Sequence, residues 1–290
     1  PAYLTMRSKR VTRPVAVGQT VSYRDYYNIQ NMGFTYHVGE DYRHIVSGLR
    51  HIDEVIERFF YKPGDRLGHA LALGRDIESW IQDTETVAMP VQEHMENLLW
   101  IWGKGIEGEI ELPIPMEQLE EKIVQCAEKI YQNISGITVR MLYQAYDKKF
   151  SSQHKEILHS LQEEEAYLKQ DGCRKTSADW DRKGTHTYCK MIGSNCLGYQ
   201  GLWTKERLIS TLYCLVFEER GQQVEMVPVS ENDLILYQKL QEYLLKKVAA
   251  LGIYVETNPT SNLTIGNMRA LQEHPIFRLS PLKQEPGQEQ

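Results

Sequence analysis

The sequence predicts an α/β fold built from parallel βα units and interrupted by a large, mainly helical insertion. Short runs of β-branched and aromatic residues, "FTYHV" and "IYVE", stand beside long amphipathic helices. Their order, strand–helix–strand and later helix–strand, is the rhythm of crossover connections in a parallel sheet. Residues 75–229 break that rhythm with helical spacing of their own. The expected division is a strand–helix–strand segment at 1–74, the helical insertion at 75–229, and a helix, a strand and a loose tail at 230–290.

Residues 33–38 read as a short buried strand, and residues 1–32 show no clear pattern. The stretch "YRHIVSGLRHIDEVIERFFY" places Tyr42, Ile45, Val46, Leu49, Ile52, Val55, Ile56, Phe59 and Phe60 on one helical face. "KPGD" breaks that helix, and "RLGHALAL" follows as a second strand that ends near His69. Within the insertion, "PMEQLEEKIVQCAEKIYQ", "SSQHKEILHSLQEEEAYL" and "TKERLISTLYCLVFEE" have helical spacing. Trp100 and Trp102 are expected in its core, and the Glu163–Glu165 run on a solvated face. "SENDLILYQKLQEYLLKKVAALG" is a helix with Ser230 as N-cap and Asp233 three residues on. Leu236, Leu240, Tyr243, Leu244 and Val248 form its stripe, and Gly252 suits its stop. "IYVETNP" is a third buried strand ended by Asn258-Pro259, and the tail from residue 281 is polar and loose.

Composition narrows the function classes. With 41% hydrophobic and 25% charged residues, the 290-residue chain has ordinary globular values. No run approaches a membrane span, and no signal peptide opens the sequence. The start "PAYLTMRSKR" is expected of a segment of a longer chain. Five irregularly spaced Cys fit reduced thiols in the cytoplasm better than a disulfide framework. A net charge of −6 is unlike a chain built mainly to hold a nucleic-acid backbone. The basic stretch with Arg7, Lys9, Arg10 and Arg13 reads as a solvated loop.

The residues that could carry chemistry gather at strand ends. His37 and His69 each sit at the C-terminal tip of a predicted strand, where barrel enzymes place catalytic side chains. A lone His is more often a hydrogen-bonded structural group, but two at successive tips form a pattern. A neutral imidazole held there can ligate zinc. Gly39 lets the chain turn so that Glu40 faces the same mouth, where a shielded carboxyl can act as a general acid. Cys173, His186, Cys189 and Cys196 match no familiar zinc module and read as ordinary thiols.

The motifs "YHVGED", "DRLGHALALG" and "VETNPTSNLTIGN…HPIFRL" resemble, in order, the later strands of adenosine deaminase-type hydrolases of the amidohydrolase superfamily. The resemblance implies part of a (β/α)8 TIM-type barrel, about strands five to seven, over residues 33–74 and 230–280. It implies His37 as a zinc ligand and Glu40 as the acid that protonates N1 of the purine. It implies His69 as the group that activates the water attacking C6, Gly39 as a substrate contact, and inosine and ammonia as products. Ser261 and Asn262 rank below these as turn formers, with His274-Pro275 completing the motif. The large insertion is similar to that of the deaminase subunit of the RADAR anti-phage defence system. That likeness implies a homo-oligomer formed through the insertion, a partner ATPase, and an adenine nucleotide or RNA adenosine as substrate.

The departures matter equally. The family's His-x-His and Asp-Asp pairs are absent from the sequence, so the remaining zinc ligands are expected outside this segment. The alternatives are an inactive barrel remnant that serves as an assembly scaffold, or an amidohydrolase with another substrate.

Overall fold

A computed structural model describes residues 33–59, 61–149, 215–266 and 270–280, two strand pairs at 10–11 and 21–22, and single positions at 203, 208, 209, 211 and 268. The order is β1 (Arg10–Val11), β2 (Val21–Ser22), β3 (Thr35–Val38), α1 (Ile45–Arg58), β4 (Arg66–His69), α2 (Ile77–Gln82) and β5 (Thr86–Pro90). There follow α3 (Val91–Ile106), α4 (Met116–Tyr131), α5 (Val139–Lys148), α6 (Leu215–Gly221), β6 (Val224–Pro228), α7 (Leu234–Ala250), β7 (Tyr254–Glu256), α8 (Pro259–Ile265) and α9 (Ile276–Leu279). The fold is mixed α/β, and no described helix is long and apolar enough to cross a membrane. Two compact units gather residues 1–41, 51–74 and 244–290, and residues 42–50 and 75–243.

The first unit is organised by a three-stranded parallel sheet in the order β3-β4-β7. Among the described residues no closed barrel forms. Central β4 has a neighbour on each side and buries Leu67 completely. The outer strands correct the expectation of burial: Thr35, Tyr36 and His37 on β3 and Tyr254 and Glu256 on β7 are exposed. Among the described residues each pairs on one side only, so local hydrophobicity overstates its burial. Asp65, at the end of "KPGD", accepts from Phe34 N–H at 3.0 Å and Lys62 N–H at 2.7 Å and so starts β4 beside β3. Lys247 on α7 donates to Asp53 and Glu57, one turn apart on α1, at 2.6 Å each.

Both long-helix expectations hold at their centres. On α1, Ile45, Val46, Leu49, Ile52, Val55 and Ile56 are buried, as are Leu236, Leu240, Leu244 and Val248 on α7. Asp233 accepts from Ser230 N–H at 3.0 Å in the capping box, and Gly252 takes the left-handed stop at φ 63°.

The second unit is helical, with Trp100 and Trp102 buried. It also holds two strands within the span expected to be mainly helical: β5 and β6 pair antiparallel, Thr86 opposite Pro228 and Pro90 opposite Val224. Exposed Val224 and Met226 make β6 too weakly periodic to announce itself. "RLGHALAL" likewise shortens to β4, and residues 71–73 form a 3-10 turn. The insertion's second helical segment, the Glu163–Glu165 run, Cys173, His186, Cys189, Cys196 and the tail lie outside the described residues.

Buried Arg50 bonds Asn97 at 2.8 Å and Glu96 at 3.2 Å, and Lys149 reaches Glu96 at 2.7 Å. Burial opposes ionisation of Glu96, but Arg50 and Lys149 outweigh it and hold its carboxyl below the usual range. This contribution is present above the carboxyl's unfolded value and is lost as pH falls through the lower folded one. Arg50→Met is expected to cost about 3–5 kcal/mol in urea denaturation at pH 7, with a smaller difference from wild type in acid. An equal loss at both pH values would show that the ion pair is not its source.

Candidate metal centre

β3 and β4 run parallel with His37 opposite Gly68 and Val38 opposite His69. This register brings the two imidazoles together at the C-terminal strand ends, with ring centroids 4.6 Å apart and planes at 86°. Gly68 makes the approach possible. A Cβ there would lie 2.2 Å from Cδ2 of His37, so the ring rests where any other residue would put its side chain.

The chain then turns sharply on both strands. Gly39 has φ 73°, and its carbonyl accepts from Ala72 N–H at 2.9 Å. His69 and Ala70 take φ 65° and 44°. Two consecutive non-glycine residues in the left-handed region are uncommon and cost of order 1–3 kcal/mol each, a strain that clusters at functional sites. Fully buried Ala70, Ala72 and Leu73 hold this segment in place.

The turn at Gly39 carries Glu40 back to the histidines. Its Oε1 lies 3.9 Å from His37 Nδ1 and its Oε2 3.2 Å from His69 Nδ1. The side chain of His37 is 65% exposed, whereas those of His69 and Glu40 are 12% and 16% exposed. The cluster is thus open on the His37 side. His37, Glu40 and His69 can each offer one ligand atom within 4.8 Å of the others. Imidazole nitrogen and carboxylate oxygen are donor types that zinc accepts. Gly39 acts through its backbone in this geometry.

The structure adds two residues that the sequence reading ranked low or left unassigned. Asn262, on α8 and fully buried, accepts from Asn258 N–H at 3.0 Å through Oδ1. The same oxygen lies 3.0 Å from His69 Nδ1. Because an oxygen accepts, His69 Nδ1 must carry the hydrogen, and its Nε2 lone pair is left available. His274 is also buried; its Nδ1 accepts from Ile276 N–H at 3.0 Å. Burial, with a smaller effect of His69, lowers the pKa of His274, so the neutral ring carries its hydrogen on Nε2. That Nε2, Asn262 Nδ2 and Glu40 Oε2 are buried without a hydrogen-bond partner. The signal for Asn262 was its spacing, four residues after Asn258 in "NPTSN", which returns its amide to the start of the helix.

No protein-family model matches this chain, and a search of curated proteins finds no match either.

Gly68→Ala is expected to drive the His37 ring off β4. Histidine-selective NMR should then show His37 and His69 shifted and His94 unmoved; an unchanged His37 signal would contradict the packing argument. Asn262→Ala should remove the preference of His69 for its Nδ1–H tautomer, read from the ring nitrogen shifts, and a retained preference would assign that proton to another partner.

Proposed function

We propose that the chain contributes to a zinc-dependent hydrolytic deaminase acting on an adenosine moiety. One observation carries this reading: His37, Glu40 and His69 meet at the C-terminal ends of neighbouring parallel strands, on turns with positive φ at Gly39, His69 and Ala70. In this reading β3, β4 and β7 are about the fifth to seventh strands of a (β/α)8 barrel, and residues 75–229 are an insertion after the strand ending at His69.

His37 would hold the metal, which supplies Lewis acidity and brings the pKa of water to about 7. Asn262 fixes His69 as the Nδ1–H tautomer, leaving Nε2 to accept a proton from the attacking water. Glu40 would hand a proton to the purine ring nitrogen. The water oxygen would bond to C6 as its proton passes to His69; the amino nitrogen would take that proton from His69, the C6–N bond would break and ammonia would leave, while the C6 hydroxyl proton returns to Glu40 as the carbonyl forms. The unpartnered donors of Asn262 and His274 suit a ligand that brings acceptor atoms, as a purine nucleoside does. The RADAR likeness extends the proposal to adenosine, AMP, ATP or RNA as substrates, to homo-oligomers formed through the insertion, and to a partner ATPase.

A second reading has a specific observation behind it. The sequence holds no His-x-His and no Asp-Asp pair, so the ligand set implied by the resemblance is incomplete within it. A chain whose metal is never completed would be an assembly scaffold.

Metal analysis and ammonia release by the full-length protein separate the two. The deaminase reading expects about one tightly held zinc per chain and ammonia from at least one adenine nucleoside or nucleotide. His37→Ala should lower zinc content. Glu40→Gln should keep the metal and lose roughly 10²–10⁴-fold in turnover. Full activity of Glu40→Gln overturns the acid role, loss of metal in that variant makes Glu40 a ligand instead, and a zinc-free wild type favours the scaffold.

A further inference from the structure

A second set of donors lies in the helical unit. His94 stands in the first turn of α3, Cys126 on α4, and Glu225 on β6. The topology gathers them: β5 runs directly into α3, and Glu225 pairs with Met89, two residues before α3 begins. His94 Nδ1 lies 2.5 Å from Glu225 Oε1. Cys126 Sγ lies 3.6 Å from His94 Nδ1 and 3.9 Å from Glu225 Oε1. Lys129 holds the other carboxylate oxygen, Oε2, which leaves Oε1 to face the cluster.

A nucleophilic triad does not fit. Such a triad uses the two ring nitrogens separately, one for the nucleophile and one for the orienting acid. Here the single Nδ1 of His94 faces both sulfur and carboxylate.

A cation fits better. Zinc bonds to N, O and S ligands of about 2.0–2.3 Å place tetrahedral ligand atoms about 3.3–3.8 Å apart. Both edges to sulfur are already close to that spacing. Only the nitrogen–oxygen edge is shorter, and it is bridged by a proton that a cation would replace. Imidazole, thiolate and carboxylate together suit zinc or cobalt and not the hard cations calcium or magnesium. The side chains of His94 and Glu225 remain 18% and 16% exposed, so water can supply a fourth ligand.

We propose that His94, Cys126 and Glu225 form a zinc-type divalent cation site with three protein ligands, separate from the strand-tip cluster and independent of the deaminase reading. The test is cobalt(II) titration of the chelator-treated full-length protein, followed by absorption. A His37→Ala/His69→Ala double variant serves as the background so that the strand-tip residues do not contribute. The site predicts tetrahedral cobalt bands and a thiolate-to-cobalt charge-transfer band. Cys126→Ser should abolish the charge-transfer band, and Glu225→Gln, which keeps size and shape, should weaken cobalt binding by at least about tenfold, the lower end of what even an outer-sphere partner costs. No charge-transfer band in the background protein, or a band that survives Cys126→Ser, overturns the proposal. If Cys126→Ser does not fold, unchanged cobalt affinity in Glu225→Gln overturns it equally.

Discussion

The strand-tip cluster depends on a bare stretch of backbone. Parallel strands carry side chains up and down in step, and His37 is paired with the one residue type that has no side chain to offer, Gly68. The imidazole fills the space a Cβ would need, and this sets its distance to His69, the next residue along. From there the constraints accumulate in sequence. His69 and Ala70 turn left-handed, Ala72 N–H reaches back to the Gly39 carbonyl, and that turn returns Glu40 to both rings. Three residues with positive φ in one rim make a rigid frame, because the apolar side chains beneath it are buried and cannot relax.

Polar satisfaction argues the same way from the opposite direction. Asn262 ties helix α8 to His69 through one oxygen with two partners. Its nitrogen, like His274 Nε2, is buried and unanswered. Each such atom costs about 1–3 kcal/mol when it exchanges water for nothing. The buried Arg50, Glu96, Asn97 and Lys149 network, by contrast, is hydrogen-bonded throughout. Unanswered groups near His69 are the polar atoms that a bound ligand would satisfy in the reading proposed above.

Much of this was legible in the sequence, for identifiable reasons. The helices at Ile45–Arg58 and Leu234–Ala250 announce themselves because their apolar stripes, capping box and Gly252 stop all agree. His37, Glu40 and His69 could be singled out because strand ends point side chains at a shared mouth. Burial of the outer strands was misread because hydrophobicity along a chain does not say how many neighbours a strand will have. β5 and β6 were missed because 133 residues lie between Pro90 and Val224, and a pairing over that distance leaves no local pattern. Asn262 was undervalued because "PTSN" looks like turn chemistry, and only the fold carries α8 to His69. Glu225 could not be tied to His94 for the same reason as its strand.

The two donor sets use imidazole in contrasting ways, and the contrast separates their chemistry. At the strand tips, His69 Nδ1 already gives its hydrogen to Asn262 and faces Glu40 as well. A metal could take that nitrogen only by breaking the bond that orients the ring, so His69 is better placed to move protons through Nε2 than to ligate through Nδ1. His37 makes no comparable hydrogen bond among the described residues and stands open to solvent, which suits an incoming cation or ligand. In the helical unit the converging atom is itself a histidine Nδ1, linked to Glu225 by a single shared proton, with a thiol close by. Exchange of that proton for a cation replaces the His94–Glu225 hydrogen bond with bonds to the cation and keeps the Lys129 contact to Oε2. The geometry therefore suits His69 to proton handling, and leaves His37 at the strand ends and the His94, Cys126 and Glu225 set in the helical unit as the places where a cation fits.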